Sequence, residues 1–426
     1  MVVQMSTTHQ EAPRGGSSDD ERASRFRQGL LSKYIPPTFW DTFMNKVITP
    51  TSALVPSFQA DPVVPRHKVR LVYHPTPIEE LRLPEVPEDA PLLFLKRDDC
   101  AGPPEASGNK LRHLEFLLAD ALHRGYNRVV TAGSSQSNHV RQTAAACAKL
   151  HLPVDAVIRR DSLGCNGNIL LDRLFGARLH FHSQEALESA RFGAYMGVEA
   201  ALMETAEKRN EADKPYIIPP GCTTPLGTWG YIDAFDEIQT QWNQLFGYPL
   251  EKDIGSIATA VGGTGTVLGL ATAAHMYNTV RDLKTSKVSV FGYLTEAVPP
   301  EQALAVMDRV LPELCPSVVS TDIVHLKEVR GAGYGKSTTE ELQFLCRVAR
   351  ETGTVFDRQY NGKALLRLWK DINGRSGKRF HSKIPIAGDG RGILFIHTGG
   401  TSTLFDSTNL LEAALSECSP LEPIST

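Results

Sequence analysis

Along most of the chain, short apolar runs alternate with longer stretches of helical period. The runs predict strands over Leu92–Lys96, Arg128–Ala132, Val154–Arg159, Arg178–His182, Tyr216–Pro219, Ile257–Val261, Val288–Leu294 and Ile393–Thr398. Between them, Asn138–Leu150, Ile169–Phe175, Leu226–Phe246 and Thr339–Thr352 read as amphipathic helices. Such alternation predicts an α/β protein with open, twisted, mostly parallel sheets buried on both faces. Four of the strands fall within residues 113–222, enough for a small α/β domain inserted into a larger one built from 66–112 and 223–426. Ligands of such folds sit at the carboxyl ends of strands, in the cleft between domains. Residues 1–65 precede the pattern and open on a polar tail that includes Gly15–Gly16–Ser17–Ser18–Asp19–Asp20–Glu21. They are expected to form an extension that is at least partly disordered.

Composition narrows the field mostly by exclusion. The 426 residues are 41% hydrophobic and 22% charged, ordinary for a soluble globular chain of two or three domains. A formal net charge of -3 leaves no electrostatic footprint for nucleic acid or an anionic membrane. No apolar run reaches the roughly 18 residues a membrane span needs. The N-terminal tail lacks a secretory core, and its acidic residues argue against a mitochondrial transit peptide, so the cytoplasm is the default expectation. Cysteines at 100, 147, 165, 222, 315, 346 and 418 are scattered, with no Cys-x-x-Cys. Reduced thiols are expected, with neither a disulfide framework nor a metal site. What remains is a small-molecule ligand.

The polar motifs fall at the ends of expected strands. Ser107–Gly108–Asn109–Lys110 opens an amphipathic segment, which places Lys110 in a glycine-bordered first helical turn. Positive potential there lowers an amine's pKa and favours the free base that attacks an aldehyde. A solvated lysine is the plainer alternative. After Arg128–Ala132 comes Gly133–Ser134–Ser135–Gln136–Ser137–Asn138–His139–Val140–Arg141, which offers hydroxyls, amides and backbone N–H groups to an anion. Simple helix capping by Ser137 or Asn138 competes evenly with that reading.

After Ile257–Val261 comes Gly262–Gly263–Thr264–Gly265–Thr266, a strand–glycine loop–helix sequence suited to a phosphate. The loop does not end in Lys-Ser/Thr, which excludes a triphosphate P-loop. A dinucleotide site is the rival, with Glu296 as its ribose acid, although Glu296 lies further along than the usual roughly twenty residues. Tyr334 lies among glycines in Gly331–Lys336, and Tyr360 stands at the entry to a helix. The strand Ile393–Thr398 ends in His397–Thr398–Gly399–Gly400, which can meet a ring nitrogen or cap the next element.

In order and spacing over roughly residues 70–408, these motifs resemble the pyridoxal-phosphate-dependent D-cysteine desulfhydrase and 1-aminocyclopropane-1-carboxylate (ACC) deaminase family. That family has the tryptophan-synthase-β-like fold, pyridoxal-phosphate fold type II, with its active site between two α/β domains. The resemblance implies pyridoxal phosphate as cofactor, with Lys110 as the Schiff-base lysine and Asn109 and Asn138 as cofactor contacts. Gly262, Gly263, Thr264, Gly265 and Thr266 would hold the phosphate, and Thr398 would lie near the pyridine nitrogen. Ser137, Asn138 and His139, with Tyr334 and Tyr360, would meet an amino-acid substrate. Lys110, Ser137, Tyr334 and Tyr360 would be its catalytic residues. A homodimer is likewise implied.

The family's ACC deaminases carry Glu after the second tyrosine and Leu after the histidine of the terminal strand, where this chain has Asn361 and Thr398. Neither can supply the charge that keeps the pyridine nitrogen protonated, which tilts the expectation to a lyase acting on D-cysteine, with ACC deamination as the alternative. The chain departs from the family pattern at Ser107, normally Gly, at Arg358–Gln359, normally Pro-Val, and at Asn361, commonly Thr in the bacterial desulfhydrases. Two other classes stay open: a nicotinamide dehydrogenase using the glycine loop, and a silent pyridoxal-phosphate-binding protein.

Overall fold

Six strands make the larger sheet and four the smaller, and the polar motifs lie at the carboxyl ends of both. The structure is a computed structural model, described over residues 27–47, 63–159, 165–182, 205, 213–296, 298–316, 318–329, 331–374, 386 and 388–406. In chain order the main elements are β1 (Leu31–Lys33), α1 (Thr38–Val47), β2 (His67–Val69), β3 (Ile78–Glu80), β4 (Leu93–Lys96), α2 (Lys110–His123) and β5 (Arg128–Ser134). There follow α3 (Asn138–Lys149), β6 (Val154–Arg159), α4 (Gly167–Leu174), β7 (Arg178–His182), β8 (Pro215–Ile218), α5 (Pro225–Phe246), β9 (Ile254–Val261) and α6 (Gly265–Val280). The last are β10 (Ser289–Leu294), α7 (Pro300–Val310), β11 (Val324–Glu328), α8 (Thr339–Thr352), α9 (Asn361–Ile372) and β12 (Gly392–Ile396).

The larger sheet runs β11-β10-β9-β12-β4-β3, parallel except at the β3 edge. Every residue of β9 is buried, as expected of a central strand covered on both faces. On one face α5 and α6 pack Trp229, Phe235, Leu268 and Met276 into the core. On the other, α8 and α9 contribute Phe344, Leu365 and Trp369. The smaller sheet, β7-β6-β5-β8, is parallel throughout, and all four of its strands come from residues 113–222.

The eight expected strands are all present, with boundaries shifted by a few residues. β9 begins at Ile254, and β11 and β3 went unforeseen, being short and weakly patterned. The described part of the N-terminal extension packs against the rest of the fold. β1 pairs antiparallel with β2, and Tyr34, Phe39 and Trp40 are buried in the main core. Trp40 lies 4.4 Å from the Trp229 ring and Tyr34 sits edge-on to Phe116 at 4.9 Å. Residues 1–26 and 48–62 of that extension, and Cys418, lie outside the described residues. The other six cysteines are free.

Candidate active site

Lys110 is the first residue of α2, and Gln142 of α3 rather than its own neighbour caps that helix. The Gln142 Oε1 accepts from the backbone N–H of Lys110 at 2.8 Å and of Leu111 at 3.2 Å. Gly108 makes this possible: its φ is +140°, and a Cβ there would stand 2.5 Å from the Gln142 amide nitrogen. With the helix end satisfied from α3, the Asn109 side chain is released for other work. Its Nδ2 donates to Thr266 Oγ1 at 3.0 Å, while its backbone N–H bonds the Thr398 carbonyl at 3.1 Å. Ser107, where the resemblance expects glycine, is accommodated because its hydroxyl accepts the Gly102 N–H at 2.9 Å.

A buried ion network fixes the first turns of α2. Arg112 bonds both oxygens of Asp98 at 2.8 Å and reaches Glu237 of α5 at 2.9 Å. Tyr231 donates to Asp98 at 2.6 Å. Removing one partner of such a pair strands a buried charge, so the network holds the helix rigidly. Lys110 is itself buried, and desolvation, the dominant cause, pushes its amine below the usual lysine range. Its Nζ donates to the Gly221 carbonyl at 3.4 Å.

Proton positions around this amine follow from the groups that can only accept. The Gly227 carbonyl takes the proton on His113 Nδ1 at 2.8 Å, so Nε2 is bare and accepts from the Thr266 hydroxyl at 3.1 Å. In the same way Thr131 donates to the Ile218 carbonyl at 2.8 Å and therefore accepts from His139 Nε2 at 2.7 Å. The bare His139 Nδ1 then faces the Cys222 thiol at 3.4 Å. Burial, with the Lys110 charge second, lowers both imidazoles to about 3, and burial raises Cys222 to about 12. All three are neutral at physiological pH. Both ring nitrogens of His139 are thus engaged within the protein.

The glycine loop after β9 lies against this group. Gly263 touches Gly221, since a Cβ on it would stand 3.1 Å from the Gly221 Cα, and the Gly265 N–H bonds Thr223 Oγ1 at 3.1 Å. The Thr264 hydroxyl is buried at 4% exposure with no partner in the protein. An orphaned hydroxyl at a helix N-terminus, ringed by glycines, fits a phosphate. The residues present therefore suit pyridoxal phosphate: an anion cradle beside a buried lysine whose amine is pushed below its ordinary pKa.

Tyr360 forms the opposite wall. A Cβ on Gly262 would stand 2.6 Å from its Cε1, and its hydroxyl donates to Glu296 at 3.3 Å. Burial raises the Glu296 carboxyl and, with the neighbouring Tyr334 and Glu296, holds the Tyr360 phenol well above its ordinary value. The Tyr334 and Tyr360 rings lie 6.4 Å apart, edge to face, and Ser134 Oγ lies 2.5 Å from Tyr334 Oη. Asp357 starts α9 by collecting the N–H groups of Gln359, Tyr360 and Asn361 at 2.6–2.9 Å. Asn361 gives its amide protons to Asp357 and the Gly399 carbonyl. Its Oδ1 faces Thr398, accepting both the backbone N–H and the hydroxyl at 3.0 Å.

Ser137 is indeed the N-cap of α3, accepting from Val140 at 3.3 Å, so its own hydroxyl proton is not spent on the cap. Asn138 bonds Asn168 at 2.9 Å and lies against Gly400. Contacts thus link Lys110 through Gly221 to Gly263, Asn109 to Thr266 and Thr398, Gly262 to Tyr360 and so to Tyr334, and Asn138 to Gly400, with Ser137 and His139 in the turn that carries Asn138. The structure adds His113, Cys222, Thr223, Gln142, Glu296 and Asn361, which sequence reasoning left unassigned or read otherwise. Glu296, the would-be ribose acid, is Tyr360's partner. Among the described residues one further cluster, His74, Glu115 and Asp233, has metal-like spacing, but Lys68 Nζ already sits among them at 2.6–3.2 Å.

A two-sheet α/β fold with a buried lysine facing a glycine-rich anion cradle defines a lysine-dependent enzyme for a phosphorylated aldehyde cofactor. Residues 69–380 match the family described as pyridoxal-phosphate dependent enzyme, and the chain belongs to it. A bifunctional D-cysteine desulfhydrase/1-aminocyclopropane-1-carboxylate deaminase, mitochondrial, of Arabidopsis thaliana is 36% identical over 368 residues, 84% of either chain. A D-cysteine desulfhydrase of Salmonella paratyphi A is 34% identical over 348 residues, covering 79% of this chain and 95% of the relative. A crystal structure of an ACC deaminase homologue superposes with a TM-score of 0.67 at 28% identity, covering 89% of this chain and all of its own. The tryptophan-synthase-β-like fold is therefore established, and pyridoxal phosphate is the cofactor. No described helix is long and apolar enough to cross a membrane.

Proposed function

We propose that this chain is a D-cysteine desulfhydrase, converting D-cysteine and water to pyruvate, hydrogen sulfide and ammonia. The observation that carries the choice is the Asn361–Thr398 pair, a neutral amide and hydroxyl bonded to each other; the family resemblance would set them beside the ring nitrogen, where a carboxylate would keep it protonated. Pyridoxal phosphate, when bound, supplies an aldehyde carbon for an amine and a ring that takes up the electrons of a broken Cα–H bond.

The chain's own residues do the rest. The Thr264 hydroxyl and the Gly262–Thr266 backbone at the α6 N-terminus would hold the phosphate, and Lys110 would hold the aldehyde end. The Lys110 Nζ would serve as the base for the α-proton, and burial, by lowering its pKa, favours the free amine that can take that proton up. Ser137 Oγ has a proton to donate to the substrate carboxylate, and the α3 N-terminus adds backbone dipole. Tyr360, kept as a phenol, and Tyr334 can hand a proton to the departing sulfur, with Glu296 holding Tyr360 in place.

Incubation of the purified protein with D-cysteine, L-cysteine, D-serine and ACC tests this reading. Sulfide and pyruvate in equal amounts from D-cysteine are expected. Release of 2-oxobutyrate from ACC without sulfide from D-cysteine would replace it with the deaminase reading, which the bifunctional Arabidopsis relative keeps in view. The family resemblance and the tail's acidic residues support a homodimer in the cytoplasm, and the split between the two sheets supports a small domain over residues 113–222. Sedimentation and cell fractionation test the first two.

A further inference from the structure

The Arg358–Gln359 pair, where the chain departs from its family's sequence pattern, is used in an unforeseen way. Gly331, Gly333 and Gly335 all have left-handed φ values, of +57°, +112° and +69°, so the loop that carries Tyr334 has little conformational preference of its own. Three side chains from the start of α9 hold it. Arg358 Nη1 donates to the Gly335 carbonyl at 2.6 Å, and Gln359 Oε1 accepts the Gly335 N–H at 2.6 Å. Lys363 Nζ donates to the Gly333 carbonyl at 2.7 Å. Both peptide faces around Tyr334 are therefore pinned by residues adjoining Tyr360.

Arg358 also reaches across the cleft. Its Nη2 bonds Asp406 at 3.0 Å, and the Asp406 carbonyl accepts from Asn166 at 3.3 Å. The Asn166 carbonyl accepts from Gln136 at 3.2 Å, and Gln136 precedes Ser137 and Asn138 in the turn offered to the substrate carboxylate. Arg358 is 4% exposed and Gln359 5%, so both side chains are held within the protein while the loop they grip stays at its surface.

We propose that Arg358, Gln359 and Lys363 are positioning residues that clamp the Tyr334 loop over the active site, with Arg358 joining that loop through Asp406 to the carboxylate-binding turn. The catalytic side of this inference rests on the reading above, in which Tyr334 serves the substrate. The clamp itself does not.

Two measurements on the cofactor-loaded protein test it. In Arg358→Ala, backbone amides 331–336 should exchange hydrogen at least about tenfold faster, with those of β9 unchanged. D-cysteine kcat/KM should fall about tenfold, but the same substitution in a Tyr334→Phe background should add less than about twofold. Gln359→Ala should show a smaller form of the same pattern, and Arg358→Lys should restore most of the loop's protection; these two also serve if Arg358→Ala fails to fold. Unchanged exchange in the loop overturns the clamp. Losses that multiply in full with Tyr334→Phe overturn its action through Tyr334. A parent protein inactive on D-cysteine would sink the substrate reading and leave the exchange result to decide the clamp.

Discussion

The two sides of the site are built differently: Lys110, His113 and His139 are buried, whereas Tyr334, Tyr360 and Glu296 are half-buried. The Lys110 wall is made of bases whose pKa values are pushed down: Lys110, His113 and His139. The Tyr360 wall is made of acids pushed up: Tyr360 and Glu296. Burial is the leading cause on both sides, and it favours the uncharged form of each group. The supports differ as well. Lys110 is fixed by helix ends and a buried ion network between α2 and α5, whereas Tyr334 hangs on a glycine loop gripped by side chains. A wall fixed by helix ends on one side and a glycine loop gripped by cationic side chains on the other suit a site whose anions arrive with the cofactor phosphate and the substrate carboxylate.

The largest expected effect breaks the Lys110 wall chemically. Lys110→Ala should lose the visible absorbance of the bound cofactor and about 10⁴-fold in kcat, the upper end for removing a positioned base. Sulfide release at the parent rate would refute the assignment. Next comes structural support. Arg112→Ala leaves Asp98 and part of Glu237 buried without their cation, and should cost about 3–5 kcal/mol in urea unfolding. Arg358→Ala, which leaves only the more exposed Asp406 without its cation, should cost clearly less; equal losses would erase the contrast between the walls.

Acid separates the walls by sign. His113 and His139 stay neutral in the folded protein down to about 3, while in the unfolded chain they take up protons near an imidazole's ordinary 6.5. Their stabilisation is therefore full above 6.5 and is lost as pH falls from there towards 3. At pH 5, about 1.5 pH units down, each costs about 2 kcal/mol at about 1.4 kcal/mol per unit. Tyr360 and Glu296 run the other way, losing stability as pH rises above their ordinary values. The melting temperature should fall below pH 6.5, and His139→Asn should flatten that limb. An unchanged limb would mean that the imidazole is not buried neutral.

Much of this site was legible because each motif followed an apolar run that became a buried strand: Gly262–Thr266 after β9, Ser134–His139 with the end of β5, Thr398 after β12. Strand order then brought those ends together. What escaped was pairing across long separations. Nothing local to Gln142 says that it caps α2, or that Cys222 faces His139. Trp40 and β1 were missed because their partners, Trp229 and β2, lie far along the chain. Local pattern reports which face of an element is apolar, not which distant element covers it.

The finest test concerns Thr264, a hydroxyl with no partner in the protein. A buried hydroxyl left unbonded is a cost to the folded chain, and replacing it with an isosteric methyl removes that cost. Thr264→Val should therefore leave the cofactor-free protein as stable as the parent or slightly more so. The same change should weaken pyridoxal phosphate binding about tenfold, since about 1.4 kcal/mol is within what one bond to a charged phosphate contributes. Pyridoxal, which lacks the phosphate, should bind parent and variant alike. Equal weakening of both ligands would place the hydroxyl at the ring rather than the phosphate, and the glycine loop would lose its role as the anion cradle.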